Sequence, residues 1–201
     1  MQTAPGAVAA RAVRDAGLRP ATATSRRRAS DAAAWKARRA RPADAPTIHA
    51  LIAEFAATGA LLPRELAEIR EHVDRFLVLV EKGKLLGCVA LEPYGASLAE
   101  IRSLAVAGSA QGRGLGARLL DFSLAEARRR GFARVFAVTH APGVFEKHGF
   151  ARTSRHAVPE KIERDCHGCP KERHCEKLAL VAVVAPERAA LPIMQPVECA
   201  G

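Results

Sequence analysis

The sequence predicts an α/β (α+β) domain in which helices pack on the faces of one sheet. Helix-type and strand-type apolar patterns alternate from about residue 37 to about residue 185. A Lys82-Gly83 pair joins two strand-like runs and is typical of a hairpin turn. A glycine-rich segment at 111–116 follows a third strand-like run and opens a helix. Together these observations predict the element order β-α-α-β-β-β-α-β-α-β-β.

The first part of this order contains a short strand, predicted at 37–42, and two helices. Asp44 is the predicted N-cap of the first helix, because this acidic residue precedes Pro46 in the first turn. Residues 58–59, a Thr-Gly pair, end that helix, and a second helix is predicted at 63–73. The apolar residues of the first helix recur at helical spacing, at Ile48, Leu51, Ile52 and Phe55.

The remaining elements are mostly strands. They are predicted at 75–81, 84–92, 98–106, 133–139, 150–154 and 178–184. A long helix is predicted at 117–130 and a short one at 143–148. The apolar residues of the long helix recur along one side, so we expect that side to face the sheet.

The net charge of +10 is concentrated at the start of the chain. Residues 1–42 contain ten Lys and Arg against two Asp, or +8, whereas residues 43–201 contain 21 basic and 19 acidic side chains, or +2. The larger part therefore has no strong nucleic-acid signature, and we expect no nucleic-acid partner for the folded domain.

Composition divides the chain into three parts. Residues 1–36 are rich in Ala and Arg and cannot bury a core, so we predict a disordered basic tail. For this tail, a start codon placed too far upstream, a nucleic-acid-binding arm and an organellar transit peptide stay open. Residues 37–186 form the predicted domain, and 187–201 a second tail. No apolar run is long enough to span a membrane, and no secretory segment stands near Met1, so we expect a cytoplasmic protein without a membrane partner.

The segment from Gln111 to Gly116 has the composition of a phosphate-binding loop. Its glycines let the backbone approach an anion without obstruction by Cβ. Successive N–H groups and the positive end of the following helix would hold phosphate oxygens. The spacing fits neither a P-loop, which continues with Lys-Ser/Thr, nor a Gly-x-Gly-x-x-Gly dinucleotide fingerprint. A pyrophosphate site is one interpretation, and a tight strand-to-helix turn is the other.

The Gln-x-x-Gly-x-Gly spacing resembles the acetyl-CoA pyrophosphate loop of the GNAT superfamily of N-acetyltransferases. The resemblance extends from about residue 38 to about residue 185. It implies the GNAT fold, a mixed and mostly antiparallel twisted sheet with helices on both faces, and it implies acetyl-CoA as co-substrate. The residues assigned to cofactor binding are Leu104, Ala105, Val106, Gln111, Gly112, Arg113, Gly114, Leu115, Gly116 and Ala117.

A narrower resemblance is to bacterial amino-acid N-acetyltransferases of the N-acetylglutamate synthase type, in a short form that lacks their kinase-like domain. The segments that carry it are 61–64, 87–89, 98–106, 142–145 and 165–171. It implies a small-molecule acceptor, L-glutamate, whose α-amine attacks the thioester directly in the first step of arginine biosynthesis. Another amine acceptor (glutamine, a different amino acid or a protein terminus) and a non-catalytic acetyl-CoA-binding module stay open. The sequence is also compatible with a homodimer.

Glu100 is the candidate catalytic base. The acceptor amine arrives largely as ammonium and must lose a proton, so a carboxylate or a water chain is needed beside it. Glu100 precedes Gln111 by 11 residues in an Ala-Glu-Ile context, and the resemblance assigns the base to a glutamate at this spacing. The alternative is a solvated strand carboxylate that pairs with Arg102 or another cation.

Arg64 and Arg102 are the candidate substrate-binding residues. A dicarboxylic amino acid needs cations for its carboxylates, and the guanidinium fork binds a carboxylate with two hydrogen bonds. Each arginine has an alternative: Arg64 would cap a helix start, and Arg102 would lie on a solvated strand face.

The sequence does not define a general acid. A CoA thiol with a pKa near 8.5 leaves as thiolate without full protonation. Related enzymes often carry a Tyr after the fifth strand, where this chain has Phe145, and Tyr94 is its single tyrosine. Tyr94 and His140 are the remaining candidates, and His140 is otherwise a strand-end residue.

Cys166, Cys169 and Cys175 have part of a zinc-ligand spacing, with His167 and His174 nearby. A structural zinc takes four ligands, and three cysteines with one histidine would supply them. The two halves of a zinc ribbon are absent from the sequence, so we predict no metal and keep these cysteines as weak candidates. Reduced thiols, with a structural role or on the substrate side of the site, are the alternative.

Overall fold

The computed structural model describes residues 35–167, 169 and 175–185, which form a seven-stranded sheet in the order β1-β2-β3-β4-β5-β7-β6. The β4–β5 pair is parallel and the other neighbouring pairs are antiparallel. The predicted mixed and mostly antiparallel sheet is therefore confirmed. The strands are β1 (Lys36–Arg39), β2 (Phe76–Glu81), β3 (Lys84–Pro93), β4 (Leu98–Val106), β5 (Arg134–Thr139), β6 (Ala151–Thr153) and β7 (Leu178–Val183).

Five α-helices accompany the sheet in the described part of the chain. They are α1 (Ala45–Ala57), α2 (Leu66–Glu71), α3 (Leu115–Arg129), α4 (Pro142–Glu146) and α5 (Pro159–Lys161). A π-helical turn, Ile162–Cys166, continues α5 directly, and we call residues 159–166 the α5 segment. None of the described helices combines the length and apolarity that a membrane crossing requires.

The two faces of the sheet are covered by different helices. On one face, α3 buries Leu119 and Leu120 against inward-facing strand residues such as Leu91 and Ile101. On the other face, α1 and α2 bury Ile48, Ile52 and Ile69 against β2 and β3. Side chains alternate along a strand, so Glu100 and Arg102 of β4, and Glu92 opposite Glu100 on β3, lie on the α1–α2 face.

Strands β4 and β5 separate after a short paired stretch, and we call this separation the fork. Their pairing runs only from Leu98–Arg134 to Glu100–Phe136, although both strands continue. On its other side β4 carries a bulge, because Cys88 pairs with Ala105 and Ala90 with Arg102, which leaves one extra residue in β4. A bulge bends its strand, and Ser103 there has a φ of 53°. Glu100 therefore stands at the vertex of the fork.

Element boundaries differ from the predictions by a few residues. Asp44 does precede α1 as its N-cap residue, but its carboxylate accepts from the Arg38 side chain and the Arg41 N–H instead of capping α1. The predicted helix at 63–73 is shorter, and the α5 segment was not predicted. The predicted tails lie outside the described residues, except that Trp35 packs on the core and β1 begins at Lys36.

Candidate active site

The glycine-rich loop has the backbone that an anion site requires. Gly112 and Gly114 have φ values of 75° and 74°, in the left-handed region that is unfavourable for residues with a Cβ. Gly114 is the N-cap residue of α3, and the Arg118 N–H donates to its carbonyl at 3.3 Å. The N–H groups of 115–117 therefore precede the helical hydrogen bonds, and this first turn is where helices bind phosphate.

Side chains of the loop are already used within the protein. The Gln111 amide donates to the Val106 carbonyl at 3.0 Å and so fixes the loop to the end of β4. Arg113 pairs with Glu81 at 2.7 Å, and its hydrogen bonds lower the pKa of that carboxyl. Backbone N–H groups are thus the main feature that the loop offers to a pyrophosphate.

The predicted cofactor residues lie on two segments that are close in the chain, and two of them, Ala105 and Leu115, are buried in the core. Residues 104–106 lie on β4 beyond the fork, where β4 no longer pairs with β5, and 111–117 follow as loop and first turn of α3. No described atom lies within 4 Å of the Cβ position at Gly112 or Gly114, so the space around the loop is open. A strand edge beside an open anion site fits a long, flexible thioester with a diphosphate.

Glu100 lies in a buried ionic cluster at the vertex of the fork. It is 3% exposed, its Oε2 accepts from the Lys161 Nζ at 2.9 Å, and the same oxygen lies 3.1 Å from the Tyr94 hydroxyl oxygen. The Arg102 guanidinium is 3.9 Å from the same oxygen. The carboxylate is therefore held by cations from two directions, from β4 itself and from the α5 segment.

Asp165 completes this cluster. Its Oδ2 accepts from Tyr94 at 2.5 Å and from Lys161 at 2.6 Å. Burial opposes ionisation, but the hydrogen bonds from Lys161 and Tyr94 outweigh it and lower the pKa of Asp165 to about 2. The pKa of Tyr94 is raised, by burial and by the charge of Glu100 and then Asp165. Tyr94 is therefore protonated at neutral pH.

A cavity of about 10 Å³, the size of one water molecule, lies beside this cluster and is lined by both candidate substrate residues. Arg64 donates to Glu68 at 2.8 Å, and Arg102 donates to Glu92 at 2.9 Å. Arg75 also donates to Glu92, at 2.6 Å. The residues that line this space, which we call the arginine pocket, are Arg64, Glu68, Ile69, His72, Arg75, Phe76, Ala90, Glu92 and Arg102.

Glu92 is the buried anchor of the arginine pocket. Its ionisation is opposed by burial but favoured by Arg102, Arg75 and Arg164, and the pKa of Glu92 is lowered as a result. Arg164 donates to Glu92 at 3.0 Å and its guanidinium stacks 3.6 Å from the centre of the Tyr94 ring. Arg164 therefore ties the arginine pocket to the Glu100 cluster.

Sequence reasoning missed the residues of the α5 segment, namely Lys161 and Arg164, and gave Asp165 no role. The sequence offered one signal for this segment, namely that Asp165 lies in a stretch that carried the family resemblance. Hydrophobic periodicity could not reveal the segment, because a five-residue π-helical turn is too short to show an amphipathic period. His140 is exposed, and Phe145 packs edge-on against Phe150 with ring centres 5.3 Å apart.

The three cysteines do not form a recognisable metal site in the described part of the chain. Cys166, Cys169 and Cys175 are free thiols there, and no three His, Cys, Asp or Glu residues among those described could hold a metal ion. Burial raises the pKa of Cys166. Residues 168 and 170–174 lie outside the described ranges, so His174 does too.

Comparison with known proteins matches the chain to one family. A sequence profile described as the acetyltransferase (GNAT) family matches residues 44–150. An uncharacterised N-acetyltransferase of Chlorobaculum tepidum is 38% identical over 144 residues, which are 72% of this chain and 93% of that protein. An amino-acid acetyltransferase of Mycobacterium tuberculosis is 37% identical over 128 residues, 62% of this chain and 73% of that protein.

A solved structure with the same arrangement is that of N-acetylglutamate synthase from Neisseria gonorrhoeae, complexed with coenzyme A and N-acetyl-glutamate. It matches with a TM-score of 0.68 and 32% identity. The match covers 75% of this chain and 35% of the synthase, so this chain spans about a third of the length of that relative.

Proposed function

Since the chain belongs to the acetyltransferase (GNAT) family, we propose that it transfers acetyl from acetyl-CoA to the α-amine of L-glutamate. Similarity to an amino-acid acetyltransferase and to an N-acetylglutamate synthase supports this acceptor. The observation that carries the proposal is the arginine pocket, which lies next to the candidate base. Arg102 contacts both, because it donates to Glu92 at 2.9 Å and lies 3.9 Å from Glu100.

The charge of the site suits an amino acid with a net negative charge. Among the described residues, the site contains five cations and four carboxylates. The cations are Arg64, Arg75, Arg102, Lys161 and Arg164, and the carboxylates are Glu68, Glu92, Glu100 and Asp165. The excess of one positive charge matches glutamate, which carries two carboxylates and one ammonium at neutral pH.

Substrate carboxylates must compete with the carboxylates already in the arginine pocket. Glu68 is the one to yield, because its side chain is 38% exposed and its second arginine contact, to Arg102, is long at 3.7 Å. Glu92 is buried and held by three arginines, so it stays in place and fixes them for substrate. Arg64 and Arg102 then bind the acceptor through the oxygens that replace Glu68.

Glu100 accepts the proton of the acceptor ammonium in this proposal. The contacts to Glu100 in the described part of the chain all fall on Oε2, so Oε1 is the oxygen available to a substrate. When bound, acetyl-CoA supplies an acetyl group activated as a thioester. The 104–106 edge and the glycine-rich loop hold acetyl-CoA in this proposal. Glu100, at the vertex of the fork, places the acceptor amine beside the thioester. The CoA thiolate leaves without a protein acid, because a thiol with a pKa near 8.5 departs without full protonation.

Glu100→Gln tests the proposed base. The amide is nearly isosteric but cannot take the proton, so we expect the rate of thiol release with L-glutamate to fall ~10²–10⁴-fold at neutral pH. Part of this loss returns at high pH, where free amine is abundant, and the affinity for acetyl-CoA is unchanged. Glu146→Gln is the matched control, because it removes an exposed carboxylate of α4 that pairs with Arg152. We expect this control to keep wild-type rates. A wild-type rate and pH profile in Glu100→Gln would remove Glu100 from the mechanism.

A neutral acceptor such as L-glutamine is the second candidate. It is favoured by one observation, that Glu68 and Glu92 already pair with the three arginines of the pocket. If Glu68 does not yield, an amide side chain binds where a second carboxylate cannot. The ratio of kcat/KM for the acid and the amide distinguishes the two candidates.

A further inference from the structure

Lys161 places a primary amine directly on the proposed proton acceptor. Its Nζ is 2.9 Å from Glu100, 2.6 Å from Asp165 and 3.3 Å from the Tyr94 hydroxyl. These three oxygens form a cage for one ammonium group, at the vertex of the fork. The acceptor amine of the reaction must reach the same carboxylate, so Lys161 has the chemical identity and the base contact of a substrate.

The α5 segment holds Lys161 in this position. Pro159 stands at the start of α5, where its fixed φ suits a first helical turn, and Val158 is buried against Tyr94 and Phe136. The Lys161 side chain is 13% exposed, so it points into the site instead of into solvent. The lysine side chain has a flexible four-carbon stem, so its amine can move within the site while the backbone stays fixed.

We propose that Lys161 is a site of self-acetylation when no free acceptor occupies the pocket, an inference that rests on the proposed role of Glu100. The Lys161 ammonium gives a proton to Glu100, and the neutral Nζ attacks the thioester carbonyl of bound acetyl-CoA. An N–C bond forms, the C–S bond breaks, and CoA leaves as thiolate. Glu100 passes the first proton to water and then takes the second proton that the attacking nitrogen loses as the amide forms. The products are Nε-acetyl-lysine, CoA thiolate and two protons released to water.

Acetylation changes the electrostatics of the site. The amide carries no charge, so Asp165 loses the cation that contributes most to its ionisation and Glu100 loses its 2.9 Å partner. Arg102 remains, at 3.6 Å from Asp165 and 3.9 Å from Glu100. We therefore expect the modified chain to turn over free acceptor more slowly than the unmodified chain.

The test is mass spectrometry of the full chain incubated with acetyl-CoA alone, from pH 7 to pH 9, with peptide mapping of the acetyl group. Lys147 is the internal control, because it is exposed and reports acetylation by simple contact with the thioester. We expect Lys161 to be acetylated ~10²-fold faster than Lys147, the lower range of a positioned general base. Saturating L-glutamate suppresses the label on Lys161, because the free acceptor then occupies the pocket.

Two variants sharpen the result. Lys161→Arg keeps the cation and blocks acetylation at this position, whereas Glu100→Gln keeps the lysine and slows its labelling to the rate of Lys147. Labelling of Lys161 no faster than that of Lys147 in the wild-type chain would overturn the inference. If thiol release depends on L-glutamate while Lys161 stays unmodified, only the self-acetylation is wrong. If Lys161 is labelled without glutamate-dependent turnover, the acceptor is wrong and the self-acetylation stands.

Discussion

Gly114→Ala is the substitution that most directly probes the cofactor loop. Gly114 has φ 74° and ψ 13°, and no described atom lies within 4 Å of its Cβ position. An added methyl group therefore meets no steric obstacle in the described part of the protein. The whole cost arises from the backbone, because residues with a Cβ adopt the left-handed conformation at about 1–2 kcal/mol.

This cost must appear either in folding or in binding. If the loop keeps its shape, the free energy of unfolding decreases by about 1–2 kcal/mol, which lowers Tm by ~2–8 °C for a chain of this size. If the loop instead relaxes to negative φ, its N–H groups no longer converge, and restoring them raises the Kd of acetyl-CoA by ~5–30-fold. Gly114→Val adds a β-branched side chain to the same conformation and should abolish acetyl-CoA binding.

Thermal unfolding and acetyl-CoA titration of the same protein separate the two outcomes. Gly108→Ala is the matched control, since Gly108 lies just before the loop, has an ordinary φ and has nothing within 4 Å of its Cβ position. We expect the control to change stability by less than about 0.5 kcal/mol. A Gly114→Ala protein with both Tm and acetyl-CoA affinity unchanged would refute the reasoning about the loop backbone.

Three further substitutions follow from the site and the core. Arg102→Ala should raise the KM for L-glutamate about 10- to 100-fold, as expected for a lost charge-assisted hydrogen bond, without changing the KM for acetyl-CoA; an unchanged glutamate KM removes Arg102 from substrate binding. Gly87→Ala should destabilise the fold by ~1–3 kcal/mol in urea unfolding, because its Cβ would lie 2.7 Å from the Ala105 carbonyl oxygen; wild-type stability would contradict this. The pKa of Asp165 is lowered to about 2 from its ordinary 3.8, so its ionisation stabilises the fold above about pH 4, and this contribution is lost as pH falls toward 2. The stability difference between wild type and Asp165→Asn, of the order of 2 kcal/mol at neutral pH, should shrink over that window, and a constant difference would show that Asp165 is not ionised in the fold.

Local patterns were enough to predict the elements that flank the site. The β2–β3 hairpin could be predicted because the Lys82-Gly83 pair stands between two strand-like runs. In the structure both residues adopt positive φ, 48° and 79°, as a two-residue turn requires. Glu100 and Arg102 could be expected on one face of the sheet because they are two residues apart on a strand. The loop at 111–116 was found because glycine spacing reports backbone geometry directly.

The composition of the ionic cluster could not be predicted in this way. Lys161 and Glu100 are 61 residues apart, and their contact depends on where the α5 segment crosses the sheet. That segment contains three residues of α-helix and five of π-helical turn, which is too short for a periodic pattern. The order β5-β7-β6 is likewise non-local, since β7 inserts between two strands that precede it in the chain.

The measurement that tests the central claim most directly is kcat/KM for L-glutamate and L-glutamine with acetyl-CoA, followed by thiol release and by mass identification of the acetylated product. The two acceptors differ only in the side-chain carboxylate that the arginine pocket is proposed to bind. One charge-assisted hydrogen bond contributes about 1.5–3 kcal/mol, so we expect glutamate to be preferred by at least about tenfold, with N-acetyl-L-glutamate as product. Equal values, or a preference for glutamine, would contradict the assignment of the arginine pocket to a dicarboxylic acceptor.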